Sequence, residues 1–112
     1  MVNTIEQAVE LCRGTQLPSV RVAADTYHMN IEEMDPAASL LRAQGWLGHV
    51  QVSDSNRLEP GAGHLEWSTF VDTLARIGYT GALAAECRLS GPAEQVLPKA
   101  AATLRAAGAG RA

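Results

Sequence analysis

Three short runs of strand-forming residues, each set apart from the next by a stretch with helical spacing, limit this chain to few folds. The runs are Val20-Arg21-Val22-Ala23-Ala24, His49-Val50-Gln51-Val52-Ser53 and Ala82 to Cys87. Strands separated by helices cannot return through tight hairpins. They pair in parallel, through right-handed crossovers. The chain therefore reads as α/β, in the order αβαβαβα with three parallel strands.

The intervening stretches carry their own start and stop signals. Thr4 and Gln7 have the spacing of a capping box; Ile5, Ala8, Val9 and Cys12 follow on one helical face, and Gly14 is placed to end the helix. The first strand stops at Asp25. Asp35-Pro36 supplies an N-cap and a first-turn proline for a helix bearing Leu40 and Leu41, closed by Gly45. The second strand alternates strictly, with Val50 and Val52 on one face and His49, Gln51 and Ser53 on the other. A loop from Asp54 to His64 contains Pro60-Gly61-Ala62-Gly63. Trp67, Phe70, Val71, Leu74 and Ile77 then make the clearest helical stripe, ended by Gly78. The third strand puts Glu86 on the face of Ala82 and Ala84. Ser90-Gly91-Pro92 leads into an Ala-rich helix ending near Gly108, with Pro98 expected to kink it or reset its start. Residues 1–107 are expected to form one unit and residues 108–112 a flexible Gly/Ala tail.

In an open doubly wound sheet, helices cover both faces and every strand is apolar on both sides. Here each strand offers one Val/Leu/Ala face and one small or polar face. That is the pattern of staves in a (β/α)₈ TIM barrel, which needs eight strands and about 250 residues. The 112 residues supply three strands, hence a partial barrel. With only five aromatic residues the core must come from Ala, Val and Leu, which disfavours a β-sandwich. Nine basic residues against twelve acidic, with no basic run, leave no footprint for a phosphate backbone, so nucleic acid is not expected as a partner. No membrane span or leader is expected from the apolar runs or from the opening MVNTIEQAVELCRG, and the expected location is cytoplasmic. Cys12 and Cys87 form no metal-knuckle spacing and read as small apolar residues.

Active sites of such barrels lie at the C-terminal strand ends. Three oxygen-bearing side chains occupy or approach those ends: Asp25, Gln51 and Glu86. Two carboxylates and one amide oxygen are a hard donor set suited to Mg²⁺ or Mn²⁺. Taken singly, each has a plainer explanation: Asp25 as a turn or helix-capping residue, Glu86 as a paired structural carboxylate. His28, just beyond Asp25, reads as a surface polar residue or as a donor to a substrate hydroxyl. Arg57 reads as a loop cation paired with Glu59 or as a fork for substrate oxygens.

The strings DTYHMNIEE (25–33), GHVQVSDSNRLEPGAGH (48–64) and IGYTGALAAEC (77–87) resemble the xylose-isomerase-like TIM-barrel sugar isomerases and epimerases. Within that group they are most similar to tagatose/psicose-type ketose 3-epimerases and to hydroxypyruvate isomerase. The resemblance implies one divalent ion, Mn²⁺ or Mg²⁺ with Co²⁺ as a further candidate. Its ligands would be Asp25, Gln51 and Glu86, with His28 and Arg57 on substrate oxygens. Gln51 stands where the epimerase pattern has His and the hydroxypyruvate-isomerase pattern has Gln. The implied reaction moves a proton α to a carbonyl, through an enediolate, on a small sugar or hydroxy-keto acid. It uses two glutamates, of which Glu86 is one; the other, the first metal ligand of the pattern, would precede Met1. The resemblance thus implies the C-terminal part of a barrel, with little activity expected from these residues alone. The competing expectation is a non-catalytic fragment or assembly module that self-associates or takes a complementary chain to cover its strand edges.

Overall fold

The computed structural model describes residues 1–110. Thr4 caps the first helix, α1 (Ile5–Thr15), in a complete capping box with Gln7, and Ile5, Val9 and Cys12 are its buried face. The chain stays helical past Gly14 and ends at Gln16, which takes a left-handed backbone. Strand β1 (Val22–Asp25) starts two residues later than the composition suggests, because Pro18 and Val20 lie in a turn closed by Val20 N–H to Leu17 O.

The chain passes from β1 straight into a short helix, α2 (Thr26–Glu32), that no apolar stripe in the sequence announces. Helix α3 (Pro36–Arg42) follows, with Asp35 as N-cap and Pro36 in its first turn as expected. Strand β2 (Leu47–Val52), helix α4 (Trp67–Arg76), strand β3 (Leu83–Ala85) and helix α5 (Ala93–Ala106) complete the order. Pro98 lies inside α5, which runs unbroken from Ala93 rather than restarting at the proline. Gly108 to Gly110 form a turn after α5 in which the Ala109 N–H reaches Leu104 O and Ala109 packs against the core. The last two positions of the expected tail, 111 and 112, lie outside the described residues.

The three strands form one parallel sheet in the order β1-β2-β3. Val22, Ala24, Leu47, Val50 and Val52 face the helices and join Val9, Leu40, Phe70 and Leu74 in the core. On the opposite face Ala23 and His49 are exposed and Gln51 half-buried, so helices cover one side of the sheet only. This is the arrangement of neighbouring barrel staves. None of the described helices is long and apolar enough to cross a membrane.

Candidate active site

Register decides which side chains meet. In the parallel ladder Asp25 pairs with Gln51, and Gln51 with Ala84. Glu86 lies two residues beyond Ala84, and its N–H continues the ladder to Val52 O at 3.1 Å. Because side chains alternate along a strand, Asp25, Gln51 and Glu86 emerge on one face of three adjacent strands, at their C-terminal ends. That face is the one the helices leave open.

Asp25 does two jobs there. Its Oδ1 caps α2, accepting from Tyr27 N–H at 2.9 Å and His28 N–H at 3.3 Å. The carboxylate also holds Arg57, whose Nη1 is 3.1 Å from Oδ1 and 3.2 Å from Oδ2. The guanidinium lies 4.9 Å from the centroid of the Tyr27 ring, within cation–π range. His28 is exposed and meets Tyr27 edge-on, its ring centroid 5.3 Å away. The expected pairing of Arg57 with Glu59 is not formed: Arg57 reaches across the sheet end to Asp25, and Glu59 accepts instead from Ser90 N–H and Oγ, both at 2.8 Å. Among the described residues the side chains of Gln51 and Glu86 have no hydrogen-bond partner, Gln51 being half-buried and Glu86 exposed.

The loops after β2 and β3 fix this arrangement, through residues that sequence reasoning passed over. Asp54 is fully buried and accepts from Ser55 N–H, Gly61 N–H, Leu65 N–H and the Trp67 indole, at 2.8 to 3.0 Å. Burial alone would raise its pKa; the Leu65 amide, the Trp67 indole and the other two amides outweigh that and hold it below the ordinary 3.8. The Pro-Gly-Ala-Gly segment serves this carboxylate: a Cβ on Gly63 would come within 2.5 Å of Asp54 Oδ1. The Ser90 N–H and hydroxyl lower the pKa of Glu59 in the same way. A second tie between the two loops runs from Arg88 N–H to Arg57 O at 2.8 Å. Thr26 fastens α2 to the end of β2, its Oγ1 donating to Ser53 O at 2.6 Å and accepting from Ser53 N–H at 2.9 Å. Ser53, expected on the polar face, is fully buried by this contact.

The donor set on the open face fits a hard divalent ion in its chemistry, two carboxylates with an amide oxygen. Among the described residues no three His, Cys, Asp or Glu side chains stand together as a metal cluster. A cavity of about 260 Å³ opens between α2, α3 and the start of α4, lined by Met29, Asn30, Asp35, His64, Trp67 and Phe70. It lies on the helix side, and none of Asp25, Gln51, Arg57 or Glu86 lines it.

Comparison with known proteins agrees with this architecture. The family model of the xylose isomerase-like TIM barrel matches residues 1–107. The chain belongs to that family. It is 35% identical over 86 residues to a D-psicose 3-epimerase of Ruminiclostridium cellulolyticum, covering 77% of this chain and 29% of that protein. It is also 35% identical over 89 residues to the 3-dehydro-D-guloside 4-epimerase of Escherichia coli, covering 80% of this chain and 34% of that one. The crystal structure of an apo 3-keto-D-glucoside 4-epimerase from E. coli superposes with a TM-score of 0.89 at 33% identity, over 95% of this chain and 41% of that chain. The 112 residues thus span about a third of the length of the curated relatives they match.

Proposed function

We propose that the face bearing Asp25, Gln51 and Glu86 is part of a metal-assisted sugar epimerase or isomerase site. The reaction is proton transfer α to the carbonyl of a small sugar or hydroxy-keto compound. The register that brings these three donors to adjacent strand ends on the open face carries the reading. Sugar-epimerase relatives support the substrate class. Asp25, Gln51 and Glu86 would hold the ion, Mn²⁺ or Mg²⁺ by donor chemistry with Co²⁺ as a further candidate. When bound, such an ion supplies Lewis-acid polarisation of a substrate carbonyl.

The chain's own residues supply positioning and one proton. Glu86, exposed on the open face and without a hydrogen-bond partner for its side chain among the described residues, is the carboxylate that takes or returns the proton at the α carbon. His28 and Arg57, either side of Tyr27, offer N–H donors to substrate hydroxyls. Exchange of a proton on both faces of a carbon needs a second acid/base. These 112 residues present one glutamate at the strand ends, so the isolated chain is expected to show little or no turnover. The complementary staves that cover the open sheet would be supplied by a further part of the barrel or by self-association.

Metal affinity tests the reading. The isolated chain should bind Mn²⁺ weakly, and Glu86→Gln should weaken binding further, as read by the electron paramagnetic resonance signal of free Mn²⁺. Equal affinity of variant and parent removes Glu86 from the site.

A further inference from the structure

Of the three donors on the strand-end face, Asp25 alone already holds a cation among the described residues. Arg57 Nη1 stands 3.1 and 3.2 Å from the two carboxylate oxygens. A single nitrogen at nearly equal distance from both oxygens lies across the mouth of the carboxylate, whereas a bidentate fork would set two nitrogens against two oxygens. Oδ1 is further engaged by the amides of Tyr27 and His28, while among the described residues Oδ2 has Arg57 alone. The guanidinium therefore occupies the mouth of the carboxylate, where an ion shared by both oxygens would sit, and lies against the oxygen that the two amides do not engage.

The backbone of Arg57 is held by its loop, independently of the guanidinium. Its φ of 67° is left-handed, a conformation that a residue with a Cβ adopts only when its surroundings impose it. Here Arg57 N–H donates to Asp54 O at 3.0 Å and Arg57 O accepts from Arg88 N–H at 2.8 Å. The side chain is 23% exposed, and among the described residues its guanidinium makes one ion pair, with Asp25, and one stacking contact, on the face of Tyr27. Moving the guanidinium off Asp25 gives up that ion pair and that stacking contact, and neither backbone hydrogen bond of Arg57 involves it.

We propose that Arg57 and a divalent ion compete for Asp25: the ion binds as Nη1 leaves the carboxylate, and the guanidinium so released turns to the open face. The inference rests on the metal reading of Asp25, Gln51 and Glu86. Its physical basis is that two cations on one partly buried carboxylate repel each other across a short distance. Arg57 neutralises Asp25 in the absence of the ion, and ion binding exposes its donors to the oxygens of a polyhydroxy ligand. By linkage, a ligand that draws Arg57 off Asp25 tightens the ion by the same factor that the ion tightens the ligand.

Mn²⁺ titrations of the parent chain, Arg57→Met and Arg57→Lys, read by the free-ion resonance, test the competition, with far-UV circular dichroism to verify the fold of each variant. Arg57→Met should tighten Mn²⁺ by about two- to fivefold, the worth of a partly exposed ion pair, and Arg57→Lys should fall between. A parallel Mg²⁺ titration of the parent, followed by the ¹⁵N signals of the arginine side chains, should move the Arg57 signal as the ion binds. Equal or weaker Mn²⁺ binding by folded Arg57→Met, or an Arg57 signal that stays still while Mg²⁺ binds, overturns the competition and leaves the metal reading intact. Absence of binding by all three proteins at millimolar Mn²⁺ removes both.

Discussion

Asp54 concentrates more of the local structure than any residue proposed for chemistry. Four donors from positions 55, 61, 65 and 67 converge on one buried carboxylate, and removing it strands an indole N–H and three amides. Asp54→Ala should cost about 3 kcal/mol in urea unfolding, since buried groups left without partners bear their full desolvation penalty. The pH dependence follows from the lowered pKa. In the folded chain Asp54 stays charged where the unfolded chain would take a proton, so its contribution is complete above the ordinary 3.8 and is lost as pH falls through the folded value. Asp54→Asn should flatten the acid limb of stability against pH; an unchanged acid limb would remove Asp54 as its source. The spacing that marks helices and strands says nothing of such a hub, because its donors are spread over thirteen positions of irregular chain. The ion pair of Arg57 is hidden from sequence for a related reason. The nearest opposite charge in sequence is Glu59, two residues away, whereas the loop turns the guanidinium back to Asp25, thirty-two residues distant. The capping role of Asp25 and its place at a strand end were both legible.

At the scale of elements, period and punctuation located the helices at the start of the chain and after the glycine-rich loop, because α1 and α4 carry clear apolar stripes. Helix α2 lacked one. It has seven residues, only Thr26 and Met29 buried, and its stability comes from the Asp25 cap and from Thr26. Thr26→Val keeps the shape and deletes both hydrogen bonds to Ser53, leaving a buried amide and carbonyl unpaired. The expected loss is about 2 kcal/mol, with faster amide exchange across α2. A neutral Thr26→Val would mean that Ser53 finds other partners. Strand ends shifted for tertiary reasons as well: β3 shortens to Leu83–Ala85 because β2 is the one strand beside it, although Glu86 N–H still follows the ladder.

For the whole molecule, the alternation of strand and helix fixed a parallel sheet before any motif was considered, and the one-sided polarity of the strands fixed which face the helices leave open. What the sequence could not show is how the ends of β1, β2 and β3 sit against one another, which is a matter of register. The outer edges of β1 and β3 carry no further strand among the described residues, and the open face has no cover of its own. Edges of this kind pair with other chains. Light scattering of the purified chain should therefore give a mass above that of one copy, rising with concentration, and a monodisperse monomer would argue against any need for a partner. The central claim, that three strand ends present one metal-binding face, is tested most directly by Mn²⁺-induced line broadening in the amide spectrum of the isotope-labelled chain. The account predicts broadening centred on residues 25, 51 and 86 at low Mn²⁺. Broadening centred on acidic residues of the outer helices, with those three strand ends unaffected, would contradict it.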